Sequence, residues 1–399
     1  MKRYEALVIG GGPAGSSAAL ALARAGWSVA IVEKAAFPRR KVCGEYISAT
    51  TWPVLRALGV ADGLAARAGP HVRRVGFFSG EALVEAPMPH GGGDWGRAIG
   101  RDLLDAALLD HAREAGAEVM QPCAVEGLRR SADGFGVSMR EPGRGEAYEA
   151  HARVVIDAHG SWEREVAMTS WHASPGAADL LGFKAHFLGT SLAADLMALV
   201  LFPGGYGGLV TSDTRRVSFS CCVRRDALAR CRGQHPGLAA GEAVLAHAMA
   251  SCRGIREALA HATRDGPWLA AGPIRPGIRA HADAGIFAVG NAAGEAHPLV
   301  AEGISMAIQS SWLLCEGLAA RKDFSPRALE ARGREYEARW RRHLAMRVRA
   351  AALFAAVTTR PAGAALSAGV LKRLPVLLTA GARWSGKAHA LHVHWPRGA

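Results

Sequence analysis

The sequence has no run of 18 or more uninterrupted apolar residues, so it predicts no membrane-spanning helix. It has no C-x-x-C pair either. Its seven cysteines, Cys43, Cys123, Cys221, Cys222, Cys231, Cys252 and Cys315, are odd in number and scattered. That argues against a disulfide framework and for reduced thiols in a cytoplasmic setting. No Cys/His group has metal-ligand spacing and no G-x-S-x-G elbow occurs, which disfavours metal and serine-hydrolase chemistry. Met1-Lys2-Arg3 runs straight into a strand-like segment, so no secretory leader is expected. Repeats and low-complexity stretches are missing too. The last absence is of one sign of charge: from Ala338 to Ala399 there is no Asp or Glu. Arg339, Arg341, Arg342, Arg347, Arg349, Arg360, Lys372, Arg373, Arg383, Lys387 and Arg397 there supply eleven positive charges of a formal net +13. The rest of the chain is nearly neutral, and aromatic residues are not grouped with a nucleic-acid motif, so no nucleic-acid partner is expected.

What is present is a pair of glycine-rich segments almost three hundred residues apart. The first, Gly10-Gly11-Gly12-Pro13-Ala14-Gly15, follows the apolar run Ala6-Leu7-Val8-Ile9 and opens the alanine-rich stretch from Ser16 to Ala25. A G-x-G-x-x-G motif between a buried strand and a helix is specific for a dinucleotide. Gly10 permits the tight turn, Gly12 lets the backbone approach a pyrophosphate, and Gly15 lets the helix pack closely on the strand. The helix N-terminus adds amide donors and a favourable dipole. The next strand, Trp27 to Val32, ends at Glu33, about 20 residues on, where a carboxylate can accept from the adenosine ribose. The second segment, Gly290-Asn291-Ala292-Ala293-Gly294, follows the buried strand Gly285 to Val289 and leads through His297-Pro298 to Glu302-Gly303-Ile304. A domain for a nicotinamide nucleotide alone has no need of this second loop-to-helix anchor.

These segments resemble the FAD-dependent oxidoreductase family of aromatic hydroxylases, flavin halogenases and geranylgeranyl reductases. The late segment of that family reads G-D-A-A-G with a following Pro and G-[IL]. Asn291 stands where the family has Asp, so Asn291→Asp is expected to preserve or strengthen FAD binding. Phe37 to Glu45 resembles the K-x-C-G-x-G loop of the reductase branch, Arg101 the arginine that starts a helix, and Val154 to Ser161 the family's D-A-x-G segment. Pro203 to Gly208 resembles P-x-x-Y-x-W, with Gly208 in the Trp position. The resemblance covers roughly residues 1–320, and the W-x-W-x-I-P segment of the halogenases does not occur. It implies FAD as cofactor, NAD(P)H as external reductant and a hydrophobic, aromatic or polyketide-like small molecule as substrate. Gly10, Gly12, Pro13, Ala14, Gly15, Glu33, Lys34, Arg40, Arg101, Val125, Asp157, Gly160, Gly290, Asn291, Gly303 and Ile304 are then cofactor-binding. Cys43 and His297 are the catalytic candidates, and Tyr206 is placed at the substrate. The activity it implies is monooxygenation first, with reduction of carbon–carbon double bonds or non-catalytic flavin or lipid binding as alternatives.

The expected fold class is α/β: a discontinuous Rossmann-like FAD-binding domain (1–64, 95–166 and 275–325), an inserted antiparallel-sheet substrate domain (65–94 and 167–274) and a helical C-terminal region (326–399) broken at Pro361 and Pro375. The basic C-terminal region, interleaved with Trp340, Leu353, Leu374 and Trp384, is a candidate for peripheral membrane contact or for guiding an acidic carrier. Helices that simply cap the substrate domain would carry the same pattern.

Overall fold

The computed structural model describes residues 1–91, 93–143, 147–161 and 176–393. The expected domain border at 166/167 and the basic residue Arg397 lie outside the described residues. Two sheets organise the chain. The first has the order Ala282–Asp283, Ile286–Ala288, Tyr148–Asp157, Lys2–Ile9, Val29–Val32, Glu118–Met120, and a meander through Ala124–Ser131 and Gly134–Arg140 joins it at Tyr148–Asp157. From Ile286–Ala288 to Glu118–Met120 the strands are parallel, and a parallel strand covered on both faces must be apolar on both. That is why Ala6-Leu7-Val8-Ile9 and Val29–Val32 are continuous apolar runs, buried throughout.

The register of this sheet builds the site. Ile9 pairs with Val32 and with Asp157, and Asp157 pairs with Ala288, so four strands far apart in sequence end at one level. The loops that leave them, at Gly10, Glu33, Ala158 and Gly290, emerge along a single edge, the carboxyl ends of parallel strands where ligands of such sheets bind.

The helix Pro13–Arg24 is clamped between this sheet and the helix Gly303–Ala319. Small side chains let them approach, and Ser311 Oγ donates to the Ala14 carbonyl at 2.8 Å. Gly290 (φ +62°) stands where a Cβ would come 2.8 Å from Ala14 Cβ, so this crossing needs glycine twice over. On the helix Arg101–Glu114, Leu104, Leu108, Leu109 and Ala112 face the core and Leu103 and Ala107 are half-buried.

The second sheet has the order Thr263–Ile274, Leu180–Leu188, Val217–Arg224, Gly205–Thr211, Leu196–Phe202, Arg74–Ser79, Ala82–Pro87. It is antiparallel except where Leu196–Phe202 runs parallel to Arg74–Ser79, and that pairing unites the early segment with the later insertion. Within the insertion two helices, Ala240–Ser251 and Arg253–Leu259, are parted at Cys252. The molecule is therefore a discontinuous Rossmann-like core with an inserted sheet domain and a helical C-terminal region. Helix Pro326–Thr358 is capped by Ser325, and Pro361–Arg373 and Val376–Ala382 follow after breaks at the two prolines. It packs Trp340 against Gly294 and donates Tyr336 Oη to the Ala288 carbonyl at 2.8 Å, so the tail braces the late glycine loop.

Candidate active site

A cavity of about 370 Å³ runs from the glycine loops to the inner face of the second sheet, within the size range of small-molecule sites. Two helix N-termini open onto it. Neither Pro13–Arg24 nor Gly303–Ala319 has a side-chain cap, so amides that a Ser or Asp cap would satisfy elsewhere face the cavity. Among the described residues, a Cβ on Gly12 would meet only Arg101 Nη2, at 3.6 Å, and a Cβ on Gly303 would meet nothing within 4 Å. Amide donors, helix dipoles and an open backbone fit an anionic dinucleotide. Gly10, Gly12, Pro13, Ala14, Glu33, Lys34, Arg101, Val125, Gly160, Gly290, Asn291, Gly303 and Ile304 all line this cavity, as do Cys43 and Tyr206.

Four sequence candidates sit differently. Gly15 is behind the loop, with its Cβ position filled by the Gly10 carbonyl. Asp157 is fully buried beneath the edge, its carboxylate hydrogen-bonded to His159 Nδ1. Arg40 is turned away from the glycine loop: its guanidinium donates to the Asp265 carbonyl at 2.9 Å and to Asp265 Oδ2 at 3.1 Å, tying the loop to the edge strand of the second sheet. Lys41, beside it, lines the cavity instead. His297 packs its ring against Tyr206 at a tilt of 40°, with centroids 4.8 Å apart, rather than lining the cavity. Burial lowers it to about 4, so it is neutral at pH 7 and is no standing proton donor.

The polar end is held by fixed charges. Glu33 is buried and accepts from the Gly11 and Ala35 amides at 2.8 and 2.9 Å, with Arg39 3.4 Å away. Arg101 is buried in a two-point ion pair with Asp105, both contacts at 2.7 Å, and also lies against the Cys43 sulfur. Burial, together with the Arg101 and Arg39 charges, lowers Lys41 to about 8.

Sequence reasoning marked Glu45 on the Cys43 loop but missed the partners that hold it, Lys184 and His186. Glu45 has φ +63°, costly for a residue with a Cβ, and it is fully buried. It is held there by an ion pair with Lys184 and by His186 Nε2 at 2.9 Å. Burial alone would raise its carboxyl, but Lys184 and His186 outweigh that and hold it well below the usual carboxylate range. The available signal was the alternation in Gly182-Phe183-Lys184-Ala185-His186-Phe187, which puts two polar side chains on one face of an otherwise apolar strand.

At the other end Met197, Leu199, Leu209, Val210 and Leu299 supply an apolar lining. Burial pushes Tyr206 and Cys221 well above their ordinary ranges and Cys222 up to about 12, so all three are neutral there.

Asn291 occupies the junction of the two ends. Its amide donates to Ser161 Oγ at 2.7 Å and to Glu295 Oε1 at 3.2 Å, while Glu295 is paired with Arg279. Burial raises the Glu295 carboxyl, with Arg279 and Ser161 opposing. The negative charge absent from position 291 is thus present four residues on. This reverses the expectation for Asn291→Asp: a second carboxylate would face the first at hydrogen-bond distance. FAD affinity measured by fluorescence titration is expected to fall by about tenfold, on the order of one pKa unit of repulsion, and to recover in Asn291→Asp combined with Glu295→Gln. Unchanged or tighter binding in the single variant would show that Glu295 does not set the charge here.

Residues 3–226 match the family profile described as FAD binding domain. The chain belongs to this FAD-binding family. Among curated relatives of this FAD-binding chain, the menaquinone reductase of Mycolicibacterium smegmatis is 33% identical over 132 residues, 33% of this chain and 32% of that protein. Aklavinone 12-hydroxylase DnrF of Streptomyces peucetius is 31% identical over 229 residues, 51% of this chain and 44% of that one. The matched part is thus about a third to under half of those relatives' length. In structure, the myxobacterial chondrochloren halogenase CndH, an FAD-dependent halogenase, has a TM-score of 0.70 at 24% identity over 86% of this chain and 80% of its own, which shows a shared fold.

Proposed function

We propose that this FAD-binding protein is an FAD-dependent oxidoreductase that acts on a hydrophobic, aromatic or polyketide-like small molecule. The observation that carries the reading is the single cavity that joins two uncapped helix N-termini to an apolar pocket under the second sheet. In this reading Gly10, Gly12, Pro13 and Ala14 cradle the pyrophosphate with Arg101 and Lys41 as counter-charge, and Glu33 accepts from the ribose. Lys34, Val125 and Gly160 flank the adenosine end, while Gly290, Asn291, Gly303 and Ile304 hold the flavin end. Arg40, Asp157 and Gly15 shape the loops from behind. Bound FAD supplies the redox chemistry, with NAD(P)H as the external source of electrons. Tyr206 positions the substrate with the His297 ring packed behind it, and Cys43 is the catalytic candidate nearer the reacting atoms, since it faces the cavity and His297 does not.

Monooxygenation is the first reading, because the substrate end is lined by apolar side chains and by Tyr206, Cys221 and Cys222 in their neutral forms. Such a lining suits a hydrophobic substrate. A second reading, hydride delivery to a carbon–carbon double bond, is favoured by the Lys41-Val42-Cys43-Gly44 loop at the cavity and by the reductases among the relatives. Turnover with reduced nicotinamide under labelled dioxygen separates them. Incorporation of one labelled oxygen atom supports monooxygenation. A product that gains two hydrogens without oxygen supports reduction, and no turnover of any hydrophobic substrate by flavin-loaded protein argues for binding alone. The seven cysteines are free, consistent with a reducing compartment, and the cytoplasm is the proposed location. The basic C-terminal region is proposed to hold the protein against an acidic surface.

A further inference from the structure

Helices on the outside of a folded domain turn apolar residues inward and polar residues outward. The C-terminal helices do not. Of the thirteen large hydrophobic residues that are exposed among the described residues, nine fall between Met346 and Trp384. Their placement is regular. On the helix Pro326–Thr358, Leu344, Val348, Ala351 and Ala355 face the core, and on the opposite side Met346, Ala350, Leu353 and Val357 follow at i, i+4, i+7 and i+11. Leu353 is 70% exposed. On the helix Pro361–Arg373, Ala368 and Leu371 are buried while Leu366, 69% exposed, and Val370 form the outer face, which Leu374 continues past the helix end. Val376, Leu377 and Trp384, which is 78% exposed, extend this apolar surface onto the last helices. Arg342, Arg349, Arg360, Lys372, Arg373 and Arg383 are exposed along it, with no acid anywhere after Glu337.

We propose that this surface docks the protein in the plane of a membrane that contains anionic lipid. This deepens the acidic-surface contact proposed above by naming its partner and residues. Three observations choose the bilayer. The charge is of one sign only, which matches an anionic headgroup layer. A second copy of the chain is disfavoured, because a twofold interface would press this acid-free basic rim against itself. An exposed tryptophan beside arginines is the side-chain pair suited to the headgroup level. Geometry then decides between lying and spanning. Thirteen helical residues cover about 20 Å, short of a hydrocarbon core of about 30 Å, and the pair 362–373 and 376–387 is bent by 114°. The helices can lie on a bilayer with their apolar faces inserted, the arrangement of interfacial amphipathic helices.

The test is flotation of the FAD-loaded protein with phosphatidylcholine vesicles, with and without phosphatidylserine, at low and high salt. Wild type is expected to float with the anionic vesicles at low salt and to be released at high salt. Leu353→Asp combined with Leu366→Asp, at exposed positions where folding has no need of the leucines, is expected to stay in the soluble fraction with flavin occupancy and thermal midpoint unchanged. Arg342→Gln, Arg349→Gln and Arg360→Gln together are expected to lower the partition coefficient about a hundredfold, at several-fold per basic residue. Wild type that stays soluble on strongly anionic vesicles at low salt overturns the proposal. So does sedimentation showing a dimer that the Leu353→Asp and Leu366→Asp pair dissolves, or vesicle binding indifferent to both sets of changes. Because flavin occupancy is read in the same samples, failure of docking is distinguishable from failure of the oxidoreductase reading.

Discussion

Gly12→Val is expected to give a folded protein that no longer holds FAD. Gly12 has φ −72° and ψ −175°, a conformation open to any residue, so the change imposes no backbone strain. Nor does it meet the protein: the nearest atom to a Cβ there is Arg101 Nη2 at 3.6 Å. The added methyl groups fill the space in front of the uncapped helix N-terminus, where a pyrophosphate has to come within hydrogen-bond reach of the amides. Loss of those contacts is expected to cost about 3 kcal/mol or more, roughly a hundredfold or greater in Kd. Flavin absorbance after gel filtration reads occupancy, and circular dichroism reads the fold. Gly15→Ala in the same loop is the contrasting control. Its Cβ would lie 1.8 Å from the Gly10 carbonyl oxygen, so it is expected to lower stability whether or not flavin is present. Full flavin occupancy in folded Gly12→Val would remove the pyrophosphate from this loop.

Glu302→Gln is expected to destabilise the protein by about 3–5 kcal/mol, the cost typical of breaking a buried ion pair. Glu302 sits immediately before the Gly303 helix and is 1% exposed. Two cations of the basic tail reach it: Arg347 Nη1 at 3.3 Å and Lys387 Nζ at 3.0 Å. Arg347 also donates to Gln309 Oε1 at 2.7 Å, and Lys387 to the Val300 carbonyl at 2.7 Å. Neutralising the acid leaves two buried positive charges with only neutral oxygens for partners. The measurement is the thermal midpoint of the apoprotein. Adding Lys387→Met to Glu302→Gln is expected to recover part of the loss, because it removes one orphaned charge. A midpoint unchanged in Glu302→Gln would mean that the tail is held by packing alone. The same pairing shows that the tail's charges are not one population, since Arg347 and Lys387 lock the tail onto the flavin-side loop while others face solvent.

The two glycine segments were legible in the sequence because each carries its own context, a short apolar strand before it and a helix after it. Local patterns of this kind depend on backbone sterics and on residues within one turn. The late segment also announced a cofactor of two anchored halves, and the fold of the family followed. Asn291 was visible as a departure, but its contact with Glu295, which turns the expectation for Asn291→Asp around, exists only once the loop curls back to bring their side chains to 3.2 Å. Arg40 was counted among the cofactor-binding residues, yet the partner its guanidinium takes, Asp265, is 225 residues away on another sheet.

By itself the sequence determined the parallel core, the glycine loops at its edge, the two proline breaks in the tail and the concentration of positive charge after Ala338, all of which are local in composition or period. The tertiary structure alone decided which charges meet. Strand register brought Gly10, Glu33, Ala158 and Gly290 to one edge, and packing of the second sheet put Lys184 and His186 beneath Glu45. Closure of the last helices buried Arg347 and Lys387 on Glu302 and left Leu353, Leu366 and Trp384 facing outward. Each of these pairs residues distant along the chain, and the energy of a charge or an apolar side chain is set by what surrounds it in space rather than by its neighbours in sequence.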